Sequence, residues 1–354
     1  MAKKLLKGNV AIAEAAIASG LDFFFGYPIT PQNDIPEYLS EHLPEHGGTF
    51  LQAESELAAI NMCEGAAATG ARVMTSTSGP GFALMQEGVS NIAAIGLPMV
   101  IVNMMRSGPG SGTIYSSQGD YFQATRGGGN GDYQVAVLAP STVQEAADLM
   151  QDAFDLTDKY RVPVLLLGDA MIGQMMEPVE IKPRKRVRYD ITSWATTGWS
   201  DKSRARVAMA SRNPTLQDNI NRINGMRERF SKLAQEYTRY ESIGLEDAEV
   251  VLVAYGSVSR IVKEACGILR DKGIKVGLMR PITLNPFPYE AIKKAAQQPN
   301  VKKVIVAEMS AGQMLQDVRL GVEGVKPVEL FSRLAAQIPL PDEIVAFVEE
   351  SIKA

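Results

Sequence analysis

Histidine and cysteine are nearly absent from this chain of 354 residues, with two of each. The histidines, His42 and His46, flank Pro44 in an acidic stretch. They read as parts of a solvated loop, so histidine is excluded as the main carrier of proton chemistry. Cys63 and Cys266 stand far apart in small-residue helical surroundings. With no CxxC pair the cysteines predict buried free thiols, and neither zinc nor an iron–sulfur cluster has ligands here. A dinucleotide fingerprint is missing too, since Gly79-Pro80-Gly81 is followed by Leu84 where GxGxxG needs glycine. No apolar run approaches the roughly 18 residues a membrane helix needs. The net charge of -4 gives no reason to expect nucleic acid. Met1-Ala2-Lys3-Lys4 precedes only a short apolar pair, so no secretory signal is expected and the cytoplasm is the default.

What is present has an α/β rhythm. Strand-like runs at Asp22–Phe25, Thr49–Gln52, Arg72–Thr75, Met99–Met105, Gln134–Ala139 and Val162–Leu167 alternate with helical segments. The helices are expected at Asn9–Ser19, with Asn9 as N-cap, and at Gln32–Glu41, Leu57–Gly70, Ala83–Gly96 and Val143–Tyr160. That alternation predicts a doubly wound parallel sheet over 1–185. A smaller α/β unit is expected over 247–354, with strands at Val250, Lys275–Met279, Val304–Ala307 and Val328–Phe331 and a helix at Ile261–Asp271. Between them, 186–246 reads as a basic linker or arm. Residues 181–240 hold fourteen Lys/Arg against five Asp/Glu. A solvated linker, or an arm on an acidic neighbour, is the favoured meaning; guidance of an anion such as coenzyme A is the alternative.

The most informative segment is Gly26-Tyr27-Pro28-Ile29-Thr30-Pro31-Gln32, directly after Phe23-Phe24-Phe25. Two prolines stiffen it and push Tyr27 and Thr30 toward extended backbone, which holds one hydroxyl at a strand end. Open α/β sheets bind ligands at such carboxyl ends. Glu54 and Glu56 open a small-residue helix, and Arg106 ends a buried strand. One crevice could collect a threonine, a glutamate and an arginine. Arginine offers a planar fork suited to a carboxylate. Gly127-Gly128-Gly129-Asn130-Gly131 reads as a flexible loop.

This constellation, with Thr75-Ser76-Thr77-Ser78-Gly79-Pro80-Gly81 in between, resembles the alpha subunit of 2-oxoacid:ferredoxin oxidoreductases, which are thiamine-diphosphate enzymes. Gly-Tyr-Pro-Ile-Thr-Pro-Gln-Asn and Met171-Ile172-Gly173-Gln174-Met175-Met176-Glu177-Pro178 look most like the branch acting on branched-chain 2-oxoacids such as 2-oxoisovalerate. The resemblance implies a pyrimidine-type thiamine-diphosphate domain followed by a transketolase C-terminal-like domain. It gives Glu56 the place of the carboxyl that hydrogen-bonds N1′ of the cofactor's aminopyrimidine, with Glu54 as alternative. Tyr27, Pro28, Ile29, Ser78, Gly79, Pro80 and Gly81 fall at cofactor-binding positions. Thr30 and Arg106 fall in the substrate pocket, and Gln118 and Asp120 match a stretch that could cover the substrate.

The Mg²⁺–diphosphate motif of thiamine enzymes is missing: Gly168-Asp169-Ala170 is only a start, and the next asparagine is Asn213. The resemblance therefore places Mg²⁺ and the diphosphate end on a beta subunit, and iron–sulfur clusters on partner (delta) subunits beside a gamma subunit. Coenzyme A would be the cosubstrate and ferredoxin the acceptor, in an oxidative decarboxylation to acyl-CoA and CO2. A 2-oxoglutarate-specific relative is the nearest alternative. A non-redox thiamine decarboxylase subunit or a non-catalytic assembly protein are the alternatives of other classes.

Overall fold

A computed structural model describes residues 3–199, 202, 207, 209–212 and 215–353; Asn213 lies outside them. In chain order the strands are β1 (Lys4–Lys7), β2 (Phe23–Gly26), β3 (Thr49–Gln52), β4 (Val73–Thr77), β5 (Val100–Met105), β6 (Ala136–Leu138) and β7 (Val164–Asp169). There follow β8 (Met176–Val179), β9 (Tyr240–Ile243), β10 (Val250–Val253), β11 (Val276–Pro281), β12 (Thr283–Asn285), β13 (Lys303–Glu308) and β14 (Val328–Ser332).

The larger sheet has seven strands in the order β12-β6-β7-β5-β4-β2-β3. All its pairs are parallel except β12 against β6. Strands β4, β5 and β7 are buried along their whole length, as expected of a sheet covered by helices on both faces. The smaller sheet runs β14-β13-β10-β11-β9, parallel but for β9 at its edge. Strands β1 and β8 form a separate antiparallel pair. This is the α/β fold with two sheets that the alternation predicts.

Several expectations need correction. The single helix expected over Ala83–Gly96 is two, Gly79–Leu84 and Gln86–Ile95, with Met85 between them. Asn9 does not cap the first helix. Lys7 holds that position, and Asn9 Nδ2 donates to the Pro31 carbonyl at 2.8 Å. The segment 186–246 carries a 21-residue helix, Leu216–Glu236, and then β9. That helix buries only Phe230 and Leu233, a stripe too narrow to stand out among its charges.

Arg186 and Arg239 of that segment, and Arg184 just before it, meet acidic neighbours within the same chain. Arg186 pairs with Asp22 at 3.0 Å, Arg239 pairs with Asp152 at 3.1 Å, and Arg184 also pairs with Asp152. Thr196 N–H closes on the Ala68 carbonyl at 2.8 Å, so the arm already covers the far end of the helix Glu56–Ala67. The glycine loop after Arg126 is also held. Gly128 N–H donates to Gln86 Oε1 at 2.9 Å and Gly129 N–H to the Tyr133 hydroxyl at 3.0 Å. A Cβ on Gly129 would lie 2.5 Å from the Gln86 carbonyl oxygen, so glycine serves close approach here.

The two sheets are joined by buried polar contacts. Arg280 makes a fork onto Glu145, both bonds 2.9 Å, and the Tyr121 hydroxyl donates to Asp317 at 2.8 Å. Among the described residues no helix is long and apolar enough to cross a membrane.

Candidate active site

Strands β2, β3, β4 and β5 lie side by side with their carboxyl ends together, since β4 pairs with both β2 and β5 and β2 also pairs with β3. Each end delivers one part of the expected site. After β2 comes the loop from Tyr27 to Gln32, after β3 Glu56, after β4 the Ser78–Gly81 turn, and after β5 Arg106.

The first loop is clamped from below. Its Pro31 carbonyl accepts from Asn9 at 2.8 Å and from Gln174 at 3.0 Å. The buried Gln32 accepts the Ser76 hydroxyl at 2.5 Å and donates to the Tyr27 carbonyl at 3.3 Å. The Thr30 hydroxyl accepts a long 3.4 Å bond from Asn33, which leaves its own proton available. Tyr27, Pro28 and Ile29 are half-buried to exposed on the outer side of this loop.

Glu56 is the first residue of the helix Glu56–Ala67, whose N-cap is Ser55, accepting from Ala58 N–H at 3.2 Å. The two glutamates differ sharply in environment. Glu56 is 5% exposed, whereas Glu54 is exposed. The Glu56 carboxylate lies against Gly81: a Cβ there would meet Glu56 Oε1 and Thr77 Oγ1, each at 2.4 Å. The buried hydroxyls of Thr75, Thr77 and Ser78 have no partner in the protein. Buried polar groups are nearly always satisfied, so this cluster marks a place where a polar ligand belongs.

Arg106 is held rigidly. Its Nη1 donates to the Thr30 carbonyl and its Nη2 to the Ser111 carbonyl, both at 3.0 Å. Its Nε is buried without a partner. The side chain passes over Gly79, whose Cβ would lie 3.5 Å from Arg106 Cγ. Thr30 and Arg106, remote in sequence, are thus directly bonded.

Not every expected site residue reaches this crevice. Gln118 is 0% exposed and lies in the seam between the two sheets. Its amide donates to the Tyr255 carbonyl at 3.0 Å and accepts Met309 N–H at 2.9 Å. Both bonds are made within the protein, whereas the sequence led to the expectation of a substrate contact from Gln118. Ser116 is in the same seam, donating to Asp169 at 3.1 Å. Asp120 lies beside β5, with Asn103 Nδ2 donating to it at 2.9 Å. Burial pushes its carboxyl above the usual range, opposed by Asn103, the Arg106 charge and the Gly79 N–H.

Asp169 is engaged within the protein. It caps the short helix Ala170–Gln174 through Met171 and Ile172 N–H, and it accepts the Ser257 hydroxyl at 2.5 Å. Among the described residues no group of His, Cys, Asp or Glu could hold a metal ion. Sequence reasoning missed Asn103 and Gln32. Asn103 had left a signal, one amide in the otherwise apolar strand Val100–Met105.

The comparisons with known proteins agree with this geometry. Residues 14–245 match the pyruvate flavodoxin/ferredoxin oxidoreductase, thiamine diphosphate-binding family. The chain belongs to that family. Residues 248–344 match the pyruvate:ferredoxin oxidoreductase core domain II. The chain is 46% identical to the ketoisovalerate oxidoreductase subunit VorB of Methanothermobacter marburgensis, over 96% of this chain and 95% of the relative. It is 35% identical to the 2-oxoglutarate synthase subunit KorA of Methanothermobacter thermautotrophicus, over 97% of each. Its fold resembles 2-oxoglutarate:ferredoxin oxidoreductase from Magnetococcus marinus, solved with 2-oxoglutarate, coenzyme A and succinyl-CoA bound, with a TM-score of 0.87 at 28% identity. That match covers 99% of this chain and 65% of the solved one, so the chain spans about two-thirds of that relative's length.

Proposed function

We propose that this chain is the pyrimidine-side alpha subunit of a coenzyme-A-acylating 2-oxoacid:ferredoxin oxidoreductase, acting on 2-oxoisovalerate or a related branched-chain acid in the cytoplasm. The observation that carries the reading is Arg106. Its terminal nitrogens are tied to two backbone carbonyls while its Nε stays buried and unpaired. A guanidinium fixed in this way is pre-oriented for a carboxylate.

The residues present fit the thiamine cofactor. Glu56 would hold N1′ of the aminopyrimidine, and its burial strengthens such a bond. The open face of Gly81 admits the ring, and the unpaired hydroxyls of Thr77 and Ser78 supply polar partners. Tyr27, Pro28, Ile29, Gly79 and Pro80 would complete the cofactor side. When bound, thiamine diphosphate supplies an electron sink for the bond to the departing carboxylate. Thr30 and Arg106 bind and orient the 2-oxoacid, with the Thr30 hydroxyl donating to its carboxylate or keto oxygen.

The remaining parts belong to partners: Mg²⁺ and the diphosphate end to a beta subunit, and the iron–sulfur clusters to other subunits of a gamma and delta kind. Leu57, Asn61 and Gly65 lie exposed along the helix that Glu56 begins, a surface on which the beta subunit would complete the site. The loop 107–119 contains no lysine or arginine, so it offers a second substrate carboxylate no cation. That favours a branched-chain monocarboxylate over 2-oxoglutarate, as does the higher identity to the ketoisovalerate subunit.

The test is a substrate panel on the reconstituted complex with ferredoxin or a viologen as acceptor. Coenzyme-A-dependent reduction should be fastest with 2-oxoisovalerate. A preference for 2-oxoglutarate would move the chain to the other branch, and no activity with any 2-oxoacid would overturn the proposal. Isothermal titration should show weak or no thiamine diphosphate binding by the isolated chain and tight binding once the beta partner is added.

A further inference from the structure

The smaller sheet has a place of its own for a ligand, and the chain itself fills it. Strand β10 is flanked by β11 on one side and β13 on the other, all parallel. The direction of winding therefore reverses between β10 and β13, and open α/β sheets take their ligands at the carboxyl ends of such a pair. Gln118 occupies that crevice. Its Nε2 donates to the Tyr255 carbonyl just past β10, and its Oε1 accepts Met309 N–H just past β13. Its own N–H donates to the Met309 carbonyl at 2.9 Å.

Gln118 follows the returning arm of the loop that begins at Arg106. Arg106 and Ser116 face each other in an antiparallel bridge, and Ser107 N–H donates to the Tyr115 carbonyl at 3.0 Å. The tip of the loop provides the Ser111 carbonyl that accepts Arg106 Nη2. Its base is tied across the seam by one carboxylate. Asp169 Oδ1 accepts the Ser116 hydroxyl at 3.1 Å, and Oδ2 accepts the hydroxyl of Ser257, in the first turn of the helix Gly256–Asp271. Ser116, Asp169 and Ser257 are all buried, so water does not compete for these bonds.

We infer that the core-domain-II half of the chain, residues 248–344, is the mount of the substrate arginine, with Ser116, Asp169 and Ser257 as positioning residues that fix the loop from which Arg106 reaches Thr30. The inference rests on Arg106 being the substrate receptor. One of the two carbonyls that hold the guanidinium belongs to this loop, so the guanidinium is placed no better than the loop is. A surface loop moves unless it is anchored. The anchors here lie in the other domain, whose ligand crevice is spent on holding Gln118. The three positioning residues act on the 2-oxoacid only through Arg106.

Ser257→Ala takes the second domain's hydroxyl from Asp169, and Ser116→Ala takes the loop's. Each leaves the Gln118 bonds across the seam in place, so either variant can report from the assembled complex. Both should raise KM for the 2-oxoacid about three- to tenfold while kcat changes little. Calorimetric binding of oxamate, a carboxylate that is not turned over, should weaken by a similar factor. Thiamine diphosphate affinity should stay as it is. In an Arg106→Gln background neither variant should weaken oxamate further, because both act through the one guanidinium. Unchanged oxamate affinity in either single variant would overturn the inference. So would further weakening in the Arg106→Gln background, or a matching loss of thiamine diphosphate affinity, which would mark a general loosening of the fold. Arg106→Gln alone separates this from the reading beneath it: oxamate affinity should fall, and if it does not, Arg106 is not the receptor.

Discussion

The carboxylate of Glu56 and the bare α-carbon of Gly81 face each other so closely that a methyl group on Gly81 would come within 2.4 Å of Oε1. Real side chains do not approach that far, so the glycine holds open the space beside the carboxylate. Gly81→Ala should therefore displace Glu56 or Thr77. Overpacking of this kind costs about 1–3 kcal/mol, and the chain should still fold. Thiamine diphosphate affinity of the assembled complex, measured by calorimetry, should fall at least tenfold. An unchanged affinity would mean that the cofactor does not use this face.

Glu56→Gln should nearly abolish turnover, by roughly 10²–10⁴-fold, the range ordinarily contributed by acid–base catalysis. Glu54→Gln should change little, because Glu54 is exposed while Glu56 is buried. Exchange of the cofactor's C2 proton, followed by NMR in the assembled complex, checks both. Near-normal exchange in the Glu56 variant would sink the assignment.

Arg106→Lys keeps the charge but loses the planar fork and both carbonyl bonds to Thr30 and Ser111. KM for the 2-oxoacid should rise about tenfold or more. Steady-state kinetics decide, and an unchanged KM would show that the fork is not used.

The thiols offer a test of the fold itself. Burial pushes the Cys63 thiol far up and that of Cys266 up to about 12. Both are raised above the unfolded value of 9.0. Their contribution to stability is therefore complete below pH 9 and is lost as pH rises toward 12. At pH 8 the native chain should not react with a thiolate-selective disulfide reagent, while two thiols per chain should react in denaturant. Rapid labelling of the native chain would contradict their burial.

The strand–helix alternation and the residues at the strand ends were legible in the sequence, because both are local. Hydrophobic periodicity marks a buried strand such as Val100–Met105, and rigid or hydroxyl-rich segments such as Tyr27–Pro31 and Thr75–Gly81 mark the turn at a strand's end. The choice between Glu54 and Glu56 could be made there only by resemblance, since exposure depends on the groups that pack above each. Folding in three dimensions bonded Arg106 to Thr30, withdrew Gln118 into the seam between the sheets, and turned Asp120 from its own helix toward Asn103. It likewise placed β12, from the second half of the chain, on the edge of the first sheet. The difference is one of range. Periodicity and turn chemistry act over a few neighbours, whereas a buried polar side chain takes whichever partner the folded chain brings within hydrogen-bond reach.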